Sequence, residues 1–355
     1  MLTFSNSSLW TACAASVHPV PSLHKPHITL QQSDARREGE AADWLANIVL
    51  RGDAGTVAEG SGETAPNGWP IDEAMVRHVQ EYVDIVTRHG PVVPQDDVTL
   101  FNGHVTGRPD AHTVDGDVLR IYELKYGYKI HEPYANTQLL LGALAFVKPH
   151  HRLISLEVFQ PRPHHVNGKH RKWVLDRDEL EQWRQWFVQC IDFVHADKPT
   201  ATPGDQCNYC DRRAGCHALL ANIYAMQELI ATNHKAAPLS AVELGAELRL
   251  LETFEKLLKA RKSGTSTEAL ERAMKGEFIP GYLLEEQIGD RKWKSDTPAA
   301  MRGLLTGVDP FKAVEKSPAE MEKEGANVDC MTVRPFVGMK LKAWDAKKAE
   351  RRFRT

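Results

Sequence analysis

Within the stretch GRPDAHTVDGDVLRIYELKYG, the carboxylates of Asp110 and Glu123 and the ammonium of Lys125 are the groups whose kind and separation suit them to act together. Glu123 and Lys125 are two residues apart, so on a strand both side chains leave the same face. Asp115-Gly116 is a tight-turn signal, and a hairpin turning there brings Asp110 back beside Glu123. Adjacent carboxylates repel unless a cation lies between them. A hard divalent ion with oxygen ligands, Mg²⁺ or Mn²⁺, meets that need. Lys125 beside it would position or help deprotonate a water and stabilise charge on an attacked phosphate. That is the equipment of phosphodiester hydrolysis. The plain alternative is a solvated strand face with an ordinary Glu–Lys contact.

A second cluster of chemically able residues is Cys207-x2-Cys210-x5-Cys216, in the Pro- and Gly-bearing loop PTATPGDQCNYCDRRAGC. Three thiolates at this spacing bind soft metal, either Zn²⁺ or an iron–sulfur cluster. A fourth ligand is missing locally; zinc could recruit His217. Cys190, in a Trp-rich helix, and Cys330 read as buried thiols.

The elements that must position these groups follow from periodicity. Helices are expected over Arg36–Leu50, over Asp72–Arg88 with valines at helical spacing, from Pro133 through QLLLGALAFV, and over Asp178–Ala196. Strands are expected over Val98–Val105, Asp110–Val114, Val118–Leu124 and Leu153–Phe159. Asn167-Gly168 turns the last of these into a hairpin with Lys172–Leu175. Helix, strands, helix, strand is an α/β order. Beyond His217 the chain reads helical. Leu244, Leu248, Leu251, Phe254 and Leu258 form an amphipathic stripe expected to pack. A linker is expected near Asn233–Pro238, which divides a domain over 1–232 from an α+β, mostly helical extension over 239–355.

The bulk numbers leave this open to a globular protein of two domains. The chain has 355 residues, 42% hydrophobic and 26% charged, with formal net charge −3. A net negative chain that binds DNA must do so through local basic surface. Candidates are Arg162, Lys169, Arg171 and Lys172 in the arm RPHHVNGKHRKW, the tail from Lys340 to Arg354, and Arg291-Lys292-Trp293. For each of these, a solvated charged face is the competing explanation. The longest apolar run, Leu139–Val147, is too short to span a bilayer. No secretory leader is legible, and six cysteines without one argue for a reducing, cytoplasmic location.

Pro109-Asp110, a hairpin, Glu123-Leu124-Lys125 and then a helix bearing Gln138 resemble the PD-(D/E)xK nuclease core, in its RecB-like form. The resemblance implies a mixed sheet flanked by helices, with Asp110 and Glu123 as ligands of Mg²⁺ or Mn²⁺ together with the Leu124 carbonyl. It implies Lys125 as the catalytic lysine and Gln138 as a substrate contact. In RecB-like nucleases a Gly-x-x-x-His on the first helix supplies a further ligand; here Gly39 is followed by Asp43 in the histidine's place. The tyrosine that usually follows the helical Gln is replaced by Gly142. AddB-type nucleases and the CRISPR-associated exonucleases bind a 4Fe–4S cluster with one cysteine before the core and three after it, a pattern that Cys13, Cys207, Cys210 and Cys216 match. Such a cluster would staple the beginning of the chain to the end of the domain.

The phrases EGEAADWLA, FQPRPHH, GDQCNYC and IPGYLLEEQIGDRKW further resemble an uncharacterised phage and prophage family of RecB-like proteins with a C-terminal extension. This resemblance implies a role in phage DNA replication, recombination or end processing, alongside phage replication or recombination proteins, without assigning a reaction. With the nuclease-like core, the leading expectation is a metal-dependent DNase acting on DNA ends or single strands. The alternative is a nuclease fold reused as a non-cleaving DNA-binding scaffold.

Overall fold

The computed structural model describes residues 2–18, 34–232, 240–288, 292–293, 299–308, 317–323, 327–328, 331–333 and 336–343. It divides into two compact units, one ending at Gly264 and the other beginning at Thr265. Both are mixed α and β structures.

The first unit is built on a five-stranded mixed sheet. Its first elements are a short strand β1 (Leu2–Thr3) and a helical turn α1 (Ser7–Trp10), followed by helices α2 (Asp34–Leu50) and α3 (Glu73–Val86). Asp72 caps α3 by accepting from Met75 N–H at 2.7 Å. Strands β2 (Val92–Pro94), β3 (Val98–Leu100), β4 (Val105–Gly107), β5 (Ala111–Asp115) and β6 (Val118–Leu124) come next. Helix α4 (Thr137–Phe146) leads to β7 (Leu153–Phe159), β8 (His170–Asp176) and helix α5 (Arg177–His195). The main sheet runs β2-β5-β6-β7-β8, with β6 and β7 parallel and the other pairs antiparallel. The parallel pair requires a crossover, which α4 supplies.

Alternation along β6 divides the core in two. Leu119 and Ile121 pack with α4 and α5, while Tyr122 and Leu124 pack with α2 and α3. The sheet is therefore covered on both faces, which places any site at the strand ends rather than on an open face.

Several expectations are corrected. The expected strand over 98–105 is two strands, because Phe101 and Asn102 adopt left-handed φ values of 52° and 55° and turn β3 back onto β4. The helix expected from Pro133 begins at Thr137: Ala135 is left-handed, and Asn136 then caps α4 by accepting from Gln138 and Leu139 N–H at 3.1 and 3.3 Å. Ahead of the first expected helix, β1 pairs in parallel with β4, and Phe4 and Trp10 are buried in the core. These elements are too short to show a period in sequence.

Helices α6 (His217–Thr232) and α7 (Ala241–Met274) follow the cysteine loop. The expected packing stripe on α7 is displaced. Of the expected stripe Phe254 packs, but Leu244, Leu248, Leu251 and Leu258 are exposed, whereas Leu257 and Ala260 are buried against Cys207, Leu219 and Ile223. Small residues decide which face turns inward. A Cβ on Gly264 would stand 2.7 Å from the Ala214 nitrogen, so glycine lets the helix approach the loop's backbone. The expected linker near 233–238 lies outside the described residues.

The second unit contains β9 (Tyr282–Ile288) paired antiparallel with β12 (Phe336–Ala343), and β10 (Lys292–Trp293) paired with β11 (Thr332–Val333). Two short helices, α8 (Ala299–Thr306) and α9 (Pro318–Lys323), accompany them. Arg291, Cys330 and the tail beyond Ala343 lie outside the described residues. Among the described residues no helix is long and apolar enough to cross a membrane.

Candidate active site and cysteine cluster

The pairing of β5 with β6 sets Ala111 opposite Tyr122, so Asp110, one residue before β5, falls beside Glu123. The hydrogen bonding agrees: Leu124 N–H donates to Asp110 Oδ2 at 2.7 Å. Glu123 is buried on the face of β6 that also carries Ile121, turned toward α4. The Lys125 ammonium donates to Glu123 Oε1 and, at 3.4 Å, to Gln138 Oε1 in the first turn of α4. Glu123 Oε2 is buried without a hydrogen-bond partner, an arrangement that costs free energy unless a further cation or donor reaches it.

Asp43, on α2, joins this group from across the cleft. Its Oδ2 accepts from the Gln95 side-chain amide at 2.9 Å. A cleft of about 960 Å³ is lined by Asp43, Gln95, Asp110, Glu123, Lys125 and Gln138, among others. The charges of this group act on one another. Desolvation, with Glu123 and Asp43 nearby, pushes the Asp110 carboxyl well above the usual carboxylate range, against Lys125 and the Leu124 N–H. Burial also raises Asp43; the Gln95 hydrogen bond opposes this, Glu123 adds to it, and Arg108 and Lys125 lower it. For Lys125, burial disfavours the ammonium, but Glu123 and Asp110 outweigh it and hold its pKa above the ordinary lysine value. Burial and like charge thus favour the neutral form of Asp110 and Asp43, while the acids beside Lys125 favour its ammonium.

Among the described residues, no three His, Cys, Asp or Glu side chains are already gathered tightly enough to enclose an ion. What the cleft holds is a set of oxygen donors with one orphaned oxygen, Glu123 Oε2. The donor chemistry fits a hard divalent cation. Asp43, Asp110, Glu123 and the Leu124 carbonyl are the groups that would hold it.

Gly142 lies one turn beyond Gln138 on α4. A Cβ there would stand 3.0 Å from Ile121 Cγ2 and 3.4 Å from Pro109 Cβ. The helix is drawn close against β6, which carries Glu123, and against Pro109 beside Asp110, and a tyrosine at 142 would collide with them.

The cysteines form a second locus. Cys13, Cys207, Cys210 and Cys216 all line one small cavity of about 20 Å³, which Arg212 and Arg213 also line. Cys207 and Cys210 are buried. Burial raises both thiols; Cys216 and Cys13 add to each, and Cys207 adds to Cys210. The N-terminal segment is drawn in by backbone bonds: Ala15 N–H donates to the Thr200 carbonyl at 3.2 Å, and Arg212 donates to the Ala15 carbonyl. Thr202 N–H donates to Cys13 Sγ at 3.4 Å. None of the five described cysteines is in a disulfide. His217, the other candidate fourth ligand, is exposed and does not line this cavity. The four thiols share one cavity, but among the described residues no three of them stand close enough together to enclose an ion; thiolates are the donors that soft metals take. Cys190 is a buried core thiol raised to about 11 by burial.

The basic arm is largely committed to internal partners, and this is a correction. Arg171 is buried and donates to the carbonyls of Gly168 and His131 and to Gln160 Oε1, at 2.8 to 2.9 Å. It holds the β7–β8 hairpin and cannot reach a phosphate. Arg162 pairs with Glu38 and stacks on Tyr126 and Tyr128. Lys169 pairs with Glu81 at 2.9 Å. Lys172 is exposed and, alone of the four, makes no ion pair among the described residues. Charge runs cannot disclose acids that arrive from distant helices.

Three residues that act on the site are not among those expected from the sequence: Gln95, Arg108 as a cation acting on Asp43, and Tyr82, whose buried hydroxyl is raised by its burial and by the charge of Asp110, Asp43 and Glu123. Gln95 follows Pro94 at the end of an edge strand, which is its only local mark.

A family model described as "Protein of unknown function (DUF2800)" matches residues 1–329. A solved structure described as "Crystal structure of SSO0001" is similar over 51% of this chain and 84% of its own, at 12% identity and a TM-score of 0.26.

Proposed function

The chain belongs to the DUF2800 family of proteins of unknown function, and we propose that it is a Mg²⁺- or Mn²⁺-dependent DNA nuclease on a PD-(D/E)xK, RecB-like core. One observation carries this reading. Asp110, Glu123 and Lys125 are brought together at the ends of adjacent strands, with Asp43 and Gln138, around one open cleft. A divalent ion bound there would lower the pKa of a water and polarise a phosphoryl oxygen. The chain's own residues do the rest. Asp110 is fixed by the Leu124 N–H and presents its other oxygen to the cleft. Glu123 offers Oε2. Lys125, kept charged by its neighbours, can orient the water and stabilise the extra negative charge on phosphate as attack proceeds. Gln138, on a capped helix end, can hold a phosphate or sugar oxygen.

In the same proposal the four cysteines hold a 4Fe–4S cluster that ties the N-terminal segment to the loop after α5, with zinc as the alternative occupant. The substrate is DNA with accessible ends or single strands, and phage replication or recombination is the fitting setting. The deciding experiment incubates linear duplex, linear single-stranded and closed circular DNA with Mg²⁺, Mn²⁺ or chelator. Metal-dependent loss of the linear substrates is the expected result.

A second reading, a non-cleaving DNA-binding scaffold, is favoured by one feature: Lys125 already neutralises Glu123, and Gln95 already occupies Asp43. Metal-independent DNA binding, with every substrate left intact in every metal, would establish it.

A further inference from the structure

The segment from Tyr126 to Asn136 runs from Lys125, just past the end of β6, to the start of α4, which carries Gln138, and Tyr126 and Gly127 still line the cleft. Beyond them the segment exposes aromatic rings: Tyr128 is 67% and Tyr134 70% exposed. A third ring, Tyr209 of the cysteine loop, is 60% exposed. Large exposed rings of this kind call for an explanation.

Each ring is supported on one side. The Arg162 guanidinium lies 4.2 Å from the Tyr128 ring centre and donates to its hydroxyl at 2.9 Å. Tyr134 leans on Trp173, centre to centre 4.9 Å. Lys129 Nζ sits 4.5 Å over the Tyr209 ring and donates to its hydroxyl at 3.0 Å. A ring braced in this way has lost its rotamer freedom beforehand, so a ligand stacking on the open side meets a prepared surface. The charge of the segment also suits an anion. Its one acid, Glu132, is matched by His165 at 2.8 Å and Arg171 at 3.5 Å, while Lys129 stays at the surface.

We infer that Tyr128 and Tyr134, with Tyr209, form a stacking platform for the unpaired bases of a single-stranded nucleic acid leading to the cleft. Flat rings with cations beside them fit bases and phosphates alternating along a strand. Base pairs in a duplex hide their faces and would gain nothing here. The inference takes its ligand class from the nuclease reading, but it requires no cleavage.

The test measures fluorescence anisotropy of a labelled oligothymidylate with the full-length protein in chelator, beside an abasic strand of equal length and charge. Variants are Tyr128→Ala, Tyr134→Ala and the corresponding Phe replacements, with unchanged melting temperature confirming the fold. The wild type should bind the abasic strand about tenfold more weakly, and each Ala variant should lose about as much affinity for oligothymidylate, restored by Phe. Equal affinity for both strands, no measurable binding to either, or Ala variants as tight as wild type would overturn the platform. Base-dependent binding by a protein that cuts nothing in any metal would end the nuclease reading and leave the platform standing. Cleavage with unaltered Ala variants would do the reverse.

Discussion

Gln95 holds Asp43: its side-chain amide donates to Asp43 Oδ2 at 2.9 Å, while its backbone N–H donates to the Asp110 carbonyl at 3.0 Å. One residue thus connects the acid of α2 to the acid before β5. It does so from a left-handed φ of 37°, a conformation a non-glycine residue keeps only when its surroundings fix it. Its carbonyl in turn accepts from Arg51 at 3.1 Å. Removing the amide leaves Asp43 free to rotate away from the cleft. Gln95→Ala should weaken Mn²⁺ binding by about tenfold, the usual effect of losing a group that orients a ligand. Isothermal titration with Mn²⁺ checks this, and unchanged affinity would show that Asp43 is not a ligand.

The cysteine cavity predicts a coloured protein. Anaerobically purified chain should be brown with broad absorbance near about 400 nm. Cys13→Ser should lose colour and iron and lower the melting temperature by roughly 5 °C, because the crosslink to the loop goes with the cluster. Colourless wild-type protein with stoichiometric zinc would replace the iron assignment.

Arg171 separates structure from binding. Arg171→Ala removes a buried guanidinium with its bonds to the Gly168 and His131 carbonyls and to Gln160 Oε1 and should destabilise the fold by about 2–4 kcal/mol. Lys172→Ala, on the exposed side of the edge strand, should change stability by less than about 0.5 kcal/mol. Urea denaturation distinguishes them, and equal effects would contradict the burial of Arg171.

Glu157 sets a pH limit. Burial alone would raise its pKa, but bonds from His170 at 2.6 Å and Ser155 at 2.7 Å, with the charge of Arg120, hold it below the ordinary glutamate value. A carboxyl depressed in the folded state contributes stability that is fully present above its unfolded pKa and is lost as pH falls through the folded value. Thermal melts of wild type should therefore fall more steeply below about pH 4.5 than those of Glu157→Gln. Parallel profiles would remove this role.

The part of the site that lies on one strand pair is legible in the sequence alone. Alternation fixes Glu123 and Lys125 to one face, and Gly116, at φ 60°, makes the turn that its Asp-Gly pair announces. The neighbouring strand β7 and the crossover helix follow from the same periodicities. What is not legible depends on groups distant in sequence. Gln95 meets Asp43 across 52 positions and Arg162 meets Glu38 across 124, so neither pairing leaves a local pattern. The α7 stripe is misread from the sequence because its packing and exposed faces carry leucines one position apart, and the small residues Ala260 and Gly264 decide between them.

The most direct test of the central claim compares wild type, Glu123→Ala, Lys125→Ala and Lys172→Ala on one linear DNA substrate with Mg²⁺ and with Mn²⁺. Glu123→Ala and Lys125→Ala should each slow cleavage by at least about 100-fold while keeping the wild-type melting profile, and Lys172→Ala should cleave nearly as wild type. Cleavage at the same rate by all four proteins would show that the Asp110–Glu123–Lys125 cluster is not where the chemistry occurs.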